Sequence, residues 1–338
     1  MVKIHSTYLL IVWVIISLFN TASAQVDDQA LTASIAKARK FLETHQYENG
    51  TFQDSTKVLF NVWETILVCD ALLDDPKKND SIFQHGLSWL KTVENAQGII
   101  CHNATCASSY CIETSSLYLQ LLHRVNPETD FTKQLAVISQ MQEKSGRWAI
   151  GNPDVIYEVY FPSVTGFAVN LFESVHYGNY EKKTALNYIA QQQLRLGSWG
   201  KTWEYYDSPG YALWQCVPAL KSDSIYATQL AKAKSFILDT QLENGSWDFS
   251  TDNVGNHIST ELHTAFMLQV LGNETDENSR PAVERGLNFL LASQKQNGCW
   301  DGGLFPIPNQ RYRKNEYLIA TALAYKAMLL YQHHLGNE

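Results

Sequence analysis

Six short segments of this chain share one pattern: Gln or Glu, three variable residues, Gly, one variable residue, then Trp, Phe or Ile. They occupy residues 46–52, 94–100, 142–148, 193–199, 241–247 and 294–300. Their glycines are Gly50, Gly98, Gly146, Gly197, Gly245 and Gly298, at intervals of 48, 48, 51, 48 and 53 residues. A period of this size marks a repeat architecture, in which no unit buries its own apolar face and neighbours must cover one another.

Each motif follows a segment whose apolar residues recur at three and four with charges between, as in 35–46, 82–94, 133–142, 185–193, 230–241 and 282–294. That period predicts half-exposed outer helices. After each motif and a loop comes a more uniformly apolar segment, at 61–73, 111–122, 163–172, 210–220, 260–271 and 316–329, which predicts inner helices buried on most sides. The glycine is expected to supply a left-handed C-cap to the outer helix, with the ring two residues later packing back over the turn. Neither end carries a polar capping repeat. The six helix pairs are therefore expected to close into an all-α (α/α)6 toroid, one domain over residues 25–338, with a central cavity and the long loops at one mouth. Hydrophobic residues form 45% of the chain and charged residues 18%, which supplies such a core and excludes disorder. The net charge of −8, with no basic run, excludes a nucleic-acid partner.

Residues 1–24 are set apart as a signal peptide. Lys3 gives a basic start, residues 8–19 an apolar stretch and Ala22-Ser23-Ala24 a cleavage site, so the chain is expected to be secreted, with no transmembrane segment after cleavage. Export places six cysteines where disulfides persist. Cys101, Cys106 and Cys111 crowd into one segment that is read as a stapled loop, with no connectivity assigned to the six. The spacing of Cys101, His102, Cys106 and Cys111 matches no common zinc pattern, so no metal is assigned there. Sequons at Asn49, Asn79, Asn103, Asn244 and Asn273 make the chain a candidate glycoprotein.

The six motif copies resemble the QW repeats of the terpene cyclase and protein prenyltransferase superfamily, and the resemblance covers essentially all of residues 25–338. It implies an α/α toroid. It implies less about activity, because the same toroid serves isoprenoid cyclases, prenyltransferase subunits, thioester and cobalamin-binding domains and some polysaccharide lyases. The segment around His263 is similar to the one that holds a zinc-binding histidine in prenyltransferases. The family's Asp and Cys ligands are not matched, since Ser208 and Gly210 stand in their places, although Tyr211 and Trp214 agree. The D-x-D-D acid of proton-initiated cyclases and the Cys-Gly-Glu-Gln of thioester domains are both missing. Metal ligands are therefore none, and the cofactor is unknown.

Aligning the inner helices on their closing leucine brings Glu64, Glu113, Ser163, Ala212, His263 and Ala320 or Thr321 to one level of the ring. Candidate acid/base groups are His263, Glu261, Glu64, Glu113, His257 and Asp207, and His257 with Glu261 makes an oriented pair only if their helix starts early. For the carboxylates in a first turn the alternative is helix capping. Candidate ligand-binding residues are Trp63, Glu158, Tyr160, Tyr206, Tyr211, Trp214, Arg311, Arg313 and Glu316. The expected function is capture, with or without transformation, of an apolar, lipid-like or amphipathic small molecule in the central cavity. A non-catalytic exported binding module and a glycan-active toroid are the alternatives.

Overall fold

In the computed structural model the described residues are 25–54, 60–77, 80–106, 109–151, 160–200, 208–249, 257–272, 278–306, 313–315 and 317–335, with the backbone alone of 257–258, 304–306, 313–315 and 334–335. Twelve α-helices occur among them: α1 Asp28–Thr44, α2 Asn61–Leu72, α3 Ser81–Thr92, α4 Ile112–Val125, α5 Thr132–Gln140, α6 Pro162–Ser174, α7 Lys182–Gln191, α8 Pro209–Lys221, α9 Ala227–Asp239, α10 Thr260–Leu271, α11 Arg280–Ser293 and α12 Tyr317–Leu335. The even-numbered helices pack in the order α2, α4, α6, α8, α10, α12 and back onto α2, so the inner ring closes. The odd-numbered helices lie outside, and α1 packs on both α11 and α12. Burial follows the predicted periods. Every residue of α2 is buried, whereas α1 buries a stripe comprising Leu31, Ser34, Ile35, Ala38, Arg39, Phe41 and Leu42.

The repeated motif is a clasp between neighbouring outer helices. Gln46 Nε2 donates to the Gly50 and Ile82 carbonyl oxygens at 3.2 and 2.8 Å, thereby joining its own turn to the start of α3. Gln142, Gln193 and Gln241 do the same for α7, α9 and α11, reaching Glu181, Gln229 and Ala282. Gln294 donates at 3.0 Å to Ser34 of α1 and closes the circle. In the second repeat Glu94 replaces the amide and accepts from the Tyr118 hydroxyl instead. The indole N–H of Trp148, Trp199, Trp247 and Trp300 donates at 2.7–2.8 Å to a carbonyl in the last turn of the preceding outer helix. These bonds pin each indole to the end of its outer helix, where the Ile138, Ile189 and Leu290 carbonyls also accept a backbone N–H.

The glycines differ from the expected C-caps. Each outer helix ends five or six residues earlier, and the glycine sits in a following turn at φ between +74° and +106°. The reason is proximity. A Cβ on Gly50, Gly146, Gly197, Gly245 or Gly298 would lie 2.1–2.4 Å from a backbone atom of the next outer helix. Five inner helices add a hydroxyl that the sequence reading overlooked: Thr65, Ser115, Thr165, Thr264 and Thr321 accept from the backbone N–H of Phe52, Ile100, Trp148, Trp247 and Trp300. Motif and inner helix are thus joined in each of those repeats.

Opposite the mouth, a charged seam ties the first and last repeats. Lys326 of α12 and Arg124 of α4 both reach Asp70 at the end of α2, while Arg39 of α1 pairs with Asp75 at 2.7 Å and with Asp80, and Tyr325 donates to Asp75. Burial alone would raise the Asp70 carboxyl, but Lys326 and Arg124 hold it below its ordinary range. The all-α class holds with one addition at the mouth. Strands β1 His257–Ile258, β2 Gly303–Pro306 and β3 Arg313–Asn315 form an antiparallel sheet in that order, too short to show a strand period in the sequence. Among the described residues no helix is long and apolar enough to cross a membrane.

The closing clasp yields a prediction. Gly298→Ala places a methyl 2.3 Å from the Lys37 carbonyl oxygen at φ +94° and should cost at least about 2 kcal/mol in denaturant unfolding. Gly178→Ala, with nothing within 4 Å, should stay within about 0.5 kcal/mol of the parent. Equal unfolding midpoints for the two variants would contradict the ring-closing role of Gly298.

Candidate functional site

The ring positions equated in the sequence lie in the first turns of the inner helices, as expected. All of them are buried: Glu64, Glu113, Ser163, Ala212, His263, Ala320 and Thr321. Below them the lumen is packed with aromatic rings. Trp63 on α2 meets Phe167 on α6 edge-on at 5.9 Å, although those helices are not neighbours in the ring, so the contact spans the interior. Phe167 also meets Tyr211 and Trp214 of α8 at 5.9 and 5.7 Å, and Trp214 meets Phe266 of α10 at 5.2 Å. Trp63, Tyr211 and Trp214 therefore stand on the lumen, with Phe167 and Phe266 beside them as members that sequence reasoning missed. The rings touch one another, so the expected central space is filled here by side chains. Deeper in the barrel, Trp214 Nε1 donates to Gln269 Oε1 at 3.0 Å, and Gln269 Nε2 donates to the Leu323 carbonyl at 2.8 Å.

Polar groups cap this apolar column. Burial pushes the Glu113 carboxyl up to about 8, and the Tyr211 hydroxyl across the ring partly opposes the rise. At neutral pH Glu113 is mostly a neutral acid, and its Oε1 has no hydrogen-bond partner among the described residues. The Ser116 and Ser163 hydroxyls are in the same position. Burial lowers His263 to about 4, with Asp248 at 3.9 Å from Nδ1 pulling the other way. Its Nδ1 accepts from the Phe249 N–H at 3.3 Å, which places the imidazole proton on Nε2, itself without a partner. Buried polar atoms are nearly always paired. A group of unpaired ones above an aromatic column suits the polar end of an apolar guest.

The remaining candidates are distributed differently. Glu261 is half-buried and raised by burial, with Asp301 adding to the effect. Helix α10 starts at Thr260 with Ser259 as its N-cap, so His257 lies on β1 and the spacing to Glu261 is not a helical turn. The Tyr160 hydroxyl donates to Glu143, and the Arg147 guanidinium lies 3.7 Å over its ring, a cluster on the motif turn of the third repeat. Arg313 lies on β3. Asp207, Glu158, Tyr206, Arg311 and Glu316 fall outside the described residues, as does the leader 1–24.

The prenyltransferase-like zinc positions do converge. A Cβ on Gly210 would lie 3.4 Å from His263 Cδ2 and 3.2 Å from Ser208 Oγ. Their donors do not suit a metal, because Gly210 offers no side chain, Ser208 Oγ accepts from the Gly210 N–H as a helix cap and His263 Nδ1 is engaged. In the loop before α4, Cys101 and Cys106 form a disulfide, while Cys69, Cys111, Cys216 and Cys299 are buried thiols.

Residues 160–312 match the family model of the squalene-hopene cyclase C-terminal domain. A squalene–hopene cyclase of Zymomonas mobilis is 30% identical over 138 residues, a match that covers 37% of this chain and 20% of that protein. In fold, the chain is similar to a type II terpene cyclase of Scytonema solved with geranylgeranyl dihydroxybenzoate as substrate, with a TM-score of 0.74, 16% identity and coverage of 90% of this chain and 97% of that one. A Salmonella enterica protein described as a possible member of the GH105 family has a TM-score of 0.62 and 11% identity, covering 92% of this chain and 95% of that one. The resemblance to the terpene cyclase superfamily thus holds in sequence over residues 160–312 and in fold over about nine-tenths of the chain.

Proposed function

We propose that this toroid binds an apolar small molecule with a hydrogen-bond-accepting end. The carrying observation is the column of Trp63, Phe167, Tyr211, Trp214 and Phe266 beneath the unpaired polar atoms of Glu113, Ser116, Ser163 and His263. The guest enters by parting the Trp63–Phe167 pair, and its apolar chain replaces ring-to-ring contact with ring-to-chain contact. Its acceptor oxygen takes hydrogen bonds from the neutral Glu113 and from His263 Nε2–H. The substrate bound by the Scytonema cyclase, an isoprenoid chain on a polar head, is of this type.

Glu113 does not serve as the acid of a proton-initiated cyclisation. An alkene is a very weak base, and a carboxylic acid pushed up to about 8 is a poorer proton donor than an ordinary glutamic acid. Its pKa instead suits hydrogen-bond donation, or general acid and base work at neutral pH on a more basic group. The chain is further read as exported after cleavage behind Ala24, a reading supported by the leader's sequence and the Cys101–Cys106 disulfide. N-terminal sequencing of protein from its own host checks this, and a start at Met1 would contradict it.

Binding is checked by titrating the protein with a polyprenyl alcohol in dilute detergent while following tryptophan fluorescence. The signal should saturate, and Trp63→Phe combined with Trp214→Phe should remove most of the change. A titration without saturation in the parent would contradict the reading.

The protonation of Glu113 has its own signature. Its folded value lies above its ordinary 4.5, so the folded protein holds a proton that the unfolded chain releases between about pH 4.5 and 8. Stability therefore falls as pH rises through that window, by up to about 1.4 kcal/mol per unit from this group. His263 acts in the opposite sense: folded at about 4 and ordinarily 6.5, it makes stability rise between those values. Because both proteins keep His263, the difference between the parent and Glu113→Gln isolates the glutamate. Unfolding in denaturant at pH 5 and pH 8 should show the variant gaining on the parent at pH 8, and equal gains at both pH values would contradict a neutral Glu113.

A further inference from the structure

The loop before α4 brings three soft or borderline donors together. Cys101 Sγ, Cys106 Sγ and a ring nitrogen of His102 all lie within 4.8 Å of one another, and His102 Nδ1 is 3.5 Å from Cys101 Sγ. A trigonal metal centre with bonds of about 2.0–2.3 Å sets its donors roughly 3.7–4.0 Å apart, so one edge of the triangle is almost in place while the sulfurs are still bonded to each other. We propose that reduction of the Cys101–Cys106 disulfide turns this loop into a three-coordinate site for cuprous ion, with both thiolates and the neutral His102 imidazole as ligands.

The surroundings favour this assignment. Cys101 is buried, and His102 and Cys106 are half-buried, so an ion held there is largely shielded from solvent. The loop is tied down at both ends. Cys111 N–H donates to the Ile100 carbonyl at 3.0 Å, Ile100 N–H to Ser115 Oγ at 3.1 Å, and Trp63 N–H to the His102 carbonyl at 3.2 Å. A 3-10 turn, Ala104–Cys106, carries Cys106, and Cys106 N–H donates to the Asn103 carbonyl at 3.3 Å. Two thiolates and an imidazole select a soft cation, and no fourth ligand of the kind zinc takes in structural sites joins the cluster among the described residues. Cys111, the third cysteine of the segment, is buried and outside the triad.

The chemistry balances with a dithiol reductant. The reductant gives two electrons and two protons to the S–S bond and closes to its own cyclic disulfide, leaving Cys101 and Cys106 as thiols. Cuprous ion then forms two Cu–S bonds and one Cu–N bond and releases both thiol protons to solvent. Because the His102 carbonyl accepts from Trp63, the disulfide and the metal are alternative fasteners for the loop that abuts the first turn of α2.

The test is an anaerobic titration of the full-length chain with cuprous ion, supplied as its acetonitrile complex against a chromophoric cuprous chelator. Protein reduced with a dithiol and then desalted should take one equivalent per chain, and protein reoxidised with diamide should take none. His102→Ala, which keeps the disulfide and should fold like the parent, should hold the ion at least about tenfold more weakly after reduction. The double variant Cys101→Ser with Cys106→Ser should take none, with circular dichroism checking its helices. The proposal is overturned if reduced parent protein loses the ion to the chelator at every ratio. It is equally overturned if the double variant or His102→Ala binds as the parent does.

Discussion

The fold depends on one contact made in five of the six repeats: a side-chain amide bonded to a carbonyl at or near the start of the next outer helix. That bond needs the turn to lie against the neighbouring helix, and the approach leaves no room for a Cβ. The motif glycine and the motif glutamine therefore answer one constraint. The contact between Gln294 and Ser34 makes the arrangement a ring, since it is the same bond made across a sequence separation of 260 residues. The seam of Asp70, Asp75, Arg39, Arg124 and Lys326 fixes the same junction from the other end of the barrel. A seam of buried charges supplies register more than net stability, because removing water from each ion offsets much of the attraction.

Closing the ring fixes what its interior can be. Six inner helices, buried on nearly all sides, send side chains into one shared space, and aromatic residues from α2, α6, α8 and α10 fill it. Polar residues in the first turns of α4, α6 and α10 are carried into the same interior and lose water, and Glu113 Oε1, Ser116 Oγ, Ser163 Oγ and His263 Nε2 have no partner among the described residues. Glu113 becomes a neutral acid and His263 a neutral base for the same reason, desolvation, acting in opposite directions on groups of opposite charge type.

Much of the fold was legible because its cause is local and repeated six times. The spacing of Gly50, Gly98, Gly146, Gly197, Gly245 and Gly298 gave the number of repeats, and the two kinds of helix period separated inner from outer helices. The role of the glycine is not legible in the same way: positive φ alone is satisfied equally by a C-cap or by a later turn, and the contact with the next helix is not written in either segment. The hydroxyls of Thr65, Ser115, Thr165, Thr264 and Thr321 recur in five of the six repeats, but a threonine or serine in an apolar helix gives no sign of its partner. In the site, aligning the inner helices brought Glu64, Glu113, Ser163 and His263 to one level. Phe167 and Phe266 carry no such sign, because nothing in a phenylalanine separates a lumen-facing ring from a core one. His257 and Glu261 pair only within one helix, and His257 lies on β1, before Ser259 caps α10.

The central claim is that the aromatic column parts to admit an apolar guest beneath Glu113 and His263. Its most direct test is a crystal structure of the protein grown with a polyprenyl alcohol. The alcohol's chain should lie between Trp63 and Phe167, with its hydroxyl oxygen within hydrogen-bond distance of Glu113 or His263 Nε2. A structure with the alcohol bound elsewhere, and Trp63 still edge-on against Phe167, would contradict it.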